Sequence, residues 1–544
     1  MMVDAGYPAE DEGMVSPHVG RETDPLVSVF TATHDIGSDI DTAYRSLLRQ
    51  SYRHWEWVIV DDSRHPGTAE HIARLAGSSA AEGRIRFFRQ QPPPGSVGAT
   101  KAAACAVCRG DFMVELDHDD ELTPHALEVV TATFVAYPDI DFVYSDWIDW
   151  IDEPDGQGHA GLFPQGWGFG LGAYATEVVA GRRVPVALAP PITWETIRHI
   201  VSTPNHLRAW RTALYRRIGG HDHRLPVADD YDLVVRTFLY GTLAHIPRPL
   251  YVQHHSPAGT NTSRRRNDEI QRRVEQIAVK YRDAIDRRCL SQGVTPSVAS
   301  PWSSTPIAAA SARIDVVAEA AANRGTPLVS VVIPTRNRPE LLQRAIASAL
   351  GQTYPNIEVL VVGDQCPFVD DVVAGINGAR LRHWNMAEHA GVDSIPRNHA
   401  LKTMARGTLI AYLDDDNWWT PDHVGSLVGA LAESPAASFA FSSFHVAGQT
   451  ITCRRPRRYQ IDTSALLHRR FLLDRFGYWV SPPEADWAND WELVSRWVGE
   501  PWIATLQPTL HYTLETSHQG LDSVRLMKSI AEEERLAARS IPST

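Results

Sequence analysis

The sequence predicts an α/β protein made of two successive doubly wound, mostly parallel sheets. Short β-branched apolar runs alternate with segments of helical period from Pro25 onward, as parallel strands joined by helices require. The pattern restarts at Pro327, where PLVSVVIPTRNRPELLQRAIASALGQTYPNIEVLVVGD follows PLVSVFTATHDIGSDIDTAYRSLLRQSYRHWEWVIVDD nearly element for element. Each half also has one apolar run that stops in a knot of carboxylates: GDFMVELDHDDELTP (Gly110–Pro124) and GTLIAYLDDDNWWTP (Gly407–Pro421). Internal repetition of this kind is the strongest organisational signal in the chain.

In order, residues 1–24 are polar, acidic and rich in Gly and Pro, and are expected to be a disordered tail. The first unit spans 25–285. Its strands are expected at Leu26–Thr31, in WEWVIVDDS, in RIRFFRQ, at Phe112–Leu116 and in DFVYSD. Helices are expected through DTAYRSLLRQSY, near Thr68–Leu75, and from Pro124 to Tyr137. GWGFGLGAY (Gly166–Tyr174) suits a loop able to close over a substrate or a plain surface loop. The segment LPVADDYDLVVRTFLYG places Asp229 and Asp230 at a helix N-terminus, where the helix dipole favours negative charge, so a capping role competes with a chemical one. Residues 286–326 turn to Ser, Ala, Pro and Thr and form the expected linker. The second unit covers 327–530, and 531–544 is a tail.

With 544 residues, more than one core is expected. A hydrophobic content of 43% and a charged content of 22% are those of a soluble globular protein. The formal charge of −13 argues against nucleic acid as the main partner. The basic clusters Arg264–Arg266 and Arg454–Arg458 are solvated surface or an acceptor- or membrane-facing patch. Five cysteines give no disulfide framework, and the Cys105–Cys108 pair has no partner pair to complete a zinc site. With no transmembrane-length run and no apolar signal core, a cytoplasmic location is expected, peripheral membrane association remaining open.

Carboxylates packed at a strand end repel one another. A divalent cation, Mn²⁺ or Mg²⁺, removes that repulsion and bridges protein oxygens to phosphate. The two units resemble the family-two inverting glycosyltransferases of the GT-A fold, of the type that modifies bacterial glycans. The resemblance implies a D-x-D motif holding a cation against a nucleotide-sugar diphosphate, at Asp117 and Asp119 in the first unit and at Asp414 and Asp416 in the second. It implies a nucleobase contact at Asp61 or Asp62 and at Asp364, with Thr31 and Thr335 also on the donor side. The catalytic base is implied at Asp230 in DDYDLVVR and at Asp490 in NDWELVSR, and a further cation ligand at His254, with His255 as alternate. PNHLRAW places Asn205, His206 and Trp210 on the acceptor side. In the second unit the histidine position falls on His511 or is taken by Glu515, and the base motif lacks the acidic residue before Asp490.

The chemistry fits independently of the resemblance. A cation stabilises a departing diphosphate as a Lewis acid, and a separate carboxylate takes the proton of the attacking hydroxyl. Attack opposite the leaving group inverts the anomeric centre, as in two-carboxylate glycosidases. Three functions compete: an enzyme with two active sites, one active transferase fused to a nucleotide-sugar or glycan-binding module, and a nucleotidyltransferase. The donor would be a UDP-sugar first, and the acceptor a glycan, lipid-linked or other hydroxyl.

Overall fold

The computed structural model describes residues 24–36, 39–153, 158–162, 173–179, 182–190, 192–199, 204–255, 265–291, 311–323, 325–376, 378, 380–391, 394–457, 461–480, 489–497 and 499–513. The tails and most of the Gly166–Tyr174 stretch lie outside the described residues. The chain divides into two units, Met1–Tyr174 with Val184–Val317, and Ala175–Arg183 with Ala318–Thr544.

In the first unit the spatial order of strands is Ile85–Arg89, Trp55–Asp61, Val27–Thr33, Phe112–Glu115, Arg208–Arg211, Phe142–Asp152 and Leu243–His255. The first four are parallel. Arg208–Arg211 runs antiparallel to both neighbours, and the last two are parallel to each other. The second unit repeats the order with Leu381–Asn385, Ile357–Gly363, Val329–Thr335, Leu409–Tyr412, Leu466–Arg469, Phe439–Val446 and Trp502–Tyr512. The central strands are buried on both faces, which is why they read as continuous apolar runs rather than alternating ones. The helix Asn267–Ser291 runs on into the stretch expected as linker, and Ser311–Arg313 pairs in parallel with Leu243–His245. Apolar Ile277, Ile285 and Cys289 on that helix are buried, so its end is ordered by packing that a composition shift does not reveal.

At the opposite edge from the acidic knots, both units carry the same buried clamp. Ser28 Oγ donates to Glu56 Oε1 at 2.6 Å, which also accepts from Arg109 N at 2.7 Å, while Arg86 Nη1 donates to Oε2 at 3.0 Å. In the second unit Glu358 takes Ser330 Oγ at 2.5 Å, Arg406 N at 2.6 Å and Arg382 Nη2 at 2.5 Å. Glu177, from the short Ala175–Arg183 segment, adds a second carboxylate to Arg382 (2.9 Å) and Arg406 (2.8 Å). The next residue is glycine in both cases. A Cβ on Gly110 would meet Leu26 O at 2.5 Å, and one on Gly407 would meet Leu328 O at 2.6 Å. The close approach lets the following strand enter the sheet in register.

Burial would raise the Glu358 carboxyl, but Arg382 and then Arg406 outweigh it and hold the group at about 2 against an ordinary 4.5. A depressed carboxyl contributes stability above its unfolded value and loses it as pH falls through the folded one. Glu358→Gln is therefore expected to destabilise the second unit by about 3 kcal/mol at pH 7. The difference from the parent should shrink as pH is lowered from 4.5 toward 2. Denaturant unfolding across that range checks it; a pH-independent difference contradicts the clamp.

Candidate active site

In the first unit three segments converge at the carboxyl edge of the sheet. Phe112–Glu115 delivers Glu115 and then the acidic knot. The antiparallel strand Arg208–Arg211 returns Asn205, His206 and Arg208 to the same edge, with Ala209 paired to Val114. The helix Asp229–Tyr240 contributes Asp229 and Asp230 in its first turn.

Glu115 is 2% exposed and stands between two cations. Lys101 Nζ donates to its Oε1 at 2.5 Å, and Arg208 Nε lies 2.9 Å from its Oε2. Arg208 Nη1 reaches on to Asp230 Oδ2 at 3.0 Å, and Lys101 Nζ lies 3.7 Å from Asp117 Oδ1. Burial alone would raise the Glu115 carboxyl, but Arg208 and Lys101 hold it well below the usual range. Burial likewise works against ionised Asp230, and again Arg208 and Lys101 outweigh it, so that carboxylate is kept charged. Neighbouring Asp229 moves the other way, raised by burial against the pull of Lys101. The two adjacent carboxylates are thus pushed in opposite directions, the one beside Arg208 toward the charged form and the other toward the protonated form.

Asp117, Asp120 and His206 bring one ligand atom each to within 4.8 Å of one another. Asp120 is raised by burial and by Asp119 and Asp117, the strain that a cation relieves. His206 stacks on Tyr251 with ring centroids 4.2 Å apart, and burial pushes it down to about 4, so the imidazole is neutral and able to ligate. Two carboxylates and one neutral imidazole fit a divalent cation such as Mn²⁺. Asp119 and His254, expected beside Asp117, are not in this group. The Asp119 side chain is 38% exposed. His254 faces Asp152 through Nδ1 (3.0 Å) and Glu121 through Nε2 (3.1 Å), and these outweigh burial to push it up to about 10. Its backbone N–H serves the site instead, donating to Asp120 Oδ1 at 2.8 Å. His255 Nε2 lies 2.7 Å from Asp149.

The other expected residues divide into engaged and supporting ones. Thr31 Oγ1 donates to Leu116 O at 2.7 Å and accepts from Trp57 Nε1 at 2.8 Å, so it fixes the strand end rather than facing a donor. Asp61 Oδ1 accepts from Thr33 Oγ1 at 2.9 Å, and its Oδ2 is buried with no hydrogen-bond partner. Asp62 lies 2.7 Å from His34 Nδ1 and accepts from Thr100 Oγ1 at 3.0 Å. Asn205 donates to Gln253 at 2.8 Å. Trp210 is 1% exposed, packs on Phe142 and donates to Thr237 at 2.9 Å, which makes it core and not acceptor-side. Cys105 and Cys108 are buried free thiols.

In the second unit Asp364 lies 2.6 Å from His389 Nδ1 and accepts from Ala390 N at 2.6 Å. Thr335 Oγ1 donates to Asp415 at 2.7 Å. Asp414 and Asp416, expected as cation ligands, face guanidinium groups: Arg397 Nη2 at 2.5 Å and Arg338 Nη1 at 2.9 Å. Thr513 N donates to Asn417 Oδ1 at 2.9 Å, as His254 N does to Asp120, so Thr513 and not His511 occupies the His254 place. His511 stacks on Trp418 at 4.8 Å. Asp490 is the second residue of the helix Asn489–Ser495; its side chain, like Glu515, lies outside the described residues.

The family model for glycosyl transferase family 2 matches residues 28–174 and 330–485. The chain belongs to this family. Its two matched segments carry the two acidic strand ends just described, so the α/β architecture is the GT-A fold in tandem. Curated relatives include the O-antigen biosynthesis protein RfbC of Myxococcus xanthus, 30% identical over 346 residues that cover 62% of this chain and 23% of that protein. The putative colanic acid biosynthesis glycosyl transferase WcaA of Escherichia coli is 27% identical over 33% of this chain and 70% of its own length. Among solved structures, S. aureus TarS residues 1–349 in complex with UDP-GlcNAc is 17% identical, with a TM-score of 0.34 over 49% of this chain and 73% of that one. The chain spans less than a quarter of the length of RfbC. No helix among the described residues is long and apolar enough to cross a membrane.

Lys101 and Glu115 were the residues that motif reading passed over. Their signal was present: an acid inside the apolar run FMVEL and a lysine in a small-residue helix are charges at core positions, and buried charges demand partners. Glu115→Gln leaves Lys101 and Arg208 without their shared counter-charge. It is expected to destabilise the first unit by about 3–5 kcal/mol, measured by urea unfolding. A loss below about 1 kcal/mol, the range of an exposed ion pair, contradicts the arrangement.

Proposed function

We propose that the first unit transfers a sugar, with inversion, from a nucleotide-sugar donor to a hydroxyl of a glycan or lipid-linked acceptor. The observation that carries this reading is the separation of roles along one buried chain of charges. Asp117 lies by Lys101 at one end, and Asp230 is held by Arg208 at the other. Asp117, Asp120 and His206 would hold the divalent cation, which when bound supplies Lewis-acid stabilisation to the departing diphosphate.

The remaining chemistry falls to the chain itself. Asp230, kept ionised by Arg208 and Lys101, accepts the proton of the acceptor hydroxyl as that oxygen bonds to the anomeric carbon. The bond from that carbon to the diphosphate breaks on the opposite face, and the nucleoside diphosphate leaves with the electron pair. Asp61, with its unpartnered buried Oδ2, and Asp62 lie at the end of the neighbouring strand, where a nucleobase donor group finds an acceptor. UDP is the first base to test. The relatives named for O-antigen and colanic acid biosynthesis favour a surface-polysaccharide acceptor. A second reading has both units catalytic, because Asp364, Asp414 and Asp490 repeat the donor and base positions in the same fold.

Nucleotide release from a panel of UDP-, GDP- and dTDP-sugars with Mn²⁺ and a glycan acceptor tests both readings. Asp230→Asn is expected to lower kcat by about 10²–10⁴, with the fold retained by circular dichroism. If Asp490→Asn removes turnover of a different donor, both units are active; if it changes nothing, one is. Undiminished turnover in Asp230→Asn contradicts the assignment of the base. Separately, Asp120→Asn is expected to abolish the Mn²⁺ dependence of nucleotide release, and an unchanged Mn²⁺ titration curve contradicts the ligand set.

A further inference from the structure

The two units share a strand order, so their positions can be matched by register. Thr33 pairs with Asp61 as Thr335 pairs with Gly363, and Ser28 with Glu56 as Ser330 with Glu358. The count stays in step through the following helix, because Gln50 donates to Ser46 O and Thr123 O as Gln352 donates to Ser348 O and Thr420 O. Gly110 N and Gly407 N both donate to the first-strand serine at 2.8 Å, which fixes the helix and strand on either side of them.

Across that match the first unit's cation ligands are lost. Asp120 becomes Asn417. The pairing of Ala209 with Val114, and of Leu467 with Ala411, sets His206 against Ser464 and Arg208 against Leu466. Lys101 and Glu115 become Asn398 and Tyr412. The remaining carboxylates are engaged by guanidinium groups. Arg338 Nη1 donates to Asp415 Oδ1 at 3.2 Å and to Asp416 Oδ2 at 2.9 Å, and Arg397 Nη2 donates to Asp414 Oδ1 at 2.5 Å. Arg344 Nη2 donates to Asp416 O at 2.6 Å. Arg336 Nη1 lies 2.8 Å from His389, whose other ring nitrogen faces Asp364. The matching residues of the first unit are Ile36, Thr100, Thr42 and His34. Four arginines thus gather at a strand edge that has no arginine in the sister unit at those positions.

The donor set here does not fit a divalent cation. A cation entering between Asp414 and Asp416 would have to displace two ion-paired guanidiniums and would find an amide and a hydroxyl in place of Asp120 and His206. We propose that the second unit takes a nucleoside diphosphate without a divalent cation, with Arg338 and Arg397 supplying the counter-charge to its phosphates. Guanidinium is suited to that role because its planar donor fork matches phosphate oxygens and its charge does not titrate. Electrostatics give the same division. The first unit presents Asp117, Asp119 and Asp120 with Lys101 already committed to Glu115, so a diphosphate is repelled until a cation enters. In the second, four arginines stand against the three carboxylates of the knot, and two of them, Arg336 and Arg344, face a histidine ring and carbonyl or hydroxyl oxygens rather than a carboxylate, so a diphosphate that takes over Arg338 and Arg397 meets no net repulsion. The inference rests on the family reading that nucleotides bind at these strand ends, and goes beyond it in assigning different counter-charges to the two units.

Calorimetry on the full chain with UDP, GDP and dTDP, in EDTA and in Mn²⁺, tests this, together with Mn²⁺ titration alone followed by electron paramagnetic resonance. One nucleotide is expected to bind in EDTA with a Kd within about threefold of its value in Mn²⁺, and to be weakened at least about tenfold by Arg338→Gln with Arg397→Gln, since charge-assisted hydrogen bonds to phosphate are lost. That binding should survive Asp120→Asn. Manganese alone should bind once per chain, be lost in Asp120→Asn and be unaffected by Asp416→Asn, a readout that does not depend on the arginine variants folding. No EDTA-resistant binding of any of the three nucleotides, EDTA-resistant binding indifferent to the arginine variants, or a Mn²⁺ site lost in Asp416→Asn overturns the inference. Absence of the Mn²⁺-dependent event sensitive to Asp120→Asn instead overturns the first-unit reading, so the two failures are distinguishable.

Discussion

The first unit is organised around one buried carboxylate. Glu115 lies at the end of the strand that leads into the acidic knot, nearly sealed from water, and neutralises Lys101 and Arg208 together. A charge in that position is costly unless fully paired, and removing any member leaves another uncompensated. The same pairing fixes where the two cations point. Lys101 leans toward Asp117 and Arg208 toward Asp230, so these two carboxylates, proposed above for the cation and for the base, are held by a common anchor. The positions of both carboxylates are therefore set by a constraint of folding, before any ligand binds.

The second unit shows what the same scaffold does without that anchor. Strand order, register, the serine–glutamate–arginine clamp and the glycine that follows it are all retained. Tyr412 and Leu466 stand in the places of Glu115 and Arg208, and the positive charge sits instead on Arg338, in the loop after the first strand, and on buried Arg397, in the short helix Ser394–His399 before the fourth. One strand order carries both arrangements of charge at its carboxyl edge. Fold and site chemistry are thus separable within a single chain.

Much of this was legible in the sequence. The repeat, the buried parallel strands and the acidic knots all follow from β-branched runs, helical spacing and dense carboxylates. Motif spacing also picked out Asp117 and Asp230, which lie at the two ends of the Lys101–Glu115–Arg208 chain. Side-chain partnership was not legible. Spacing puts Asp119 two residues from Asp117, but the turn leaves Asp119 partly in solvent and buries Asp120, which the backbone of His254 and the Tyr251 hydroxyl then hold. His254 read as a ligand because its sequence neighbourhood does not show that Asp152 and Glu121 claim both ring nitrogens. Trp210, chosen for its place in PNHLRAW, alternates inward on an antiparallel strand and joins the core. Register between distant strands decides each of these, and no local pattern encodes it.

The two units differ in counter-charge on one fold: a divalent cation in the first, guanidinium in the second, as proposed above. Anomalous diffraction at the manganese edge, from crystals grown with Mn²⁺ and UDP, addresses it most directly. One peak is expected, bounded by Asp117, Asp120 and His206, and none among Asp414, Asp415 and Asp416. A manganese peak seated on the second unit's carboxylates, or none in the first, would contradict it.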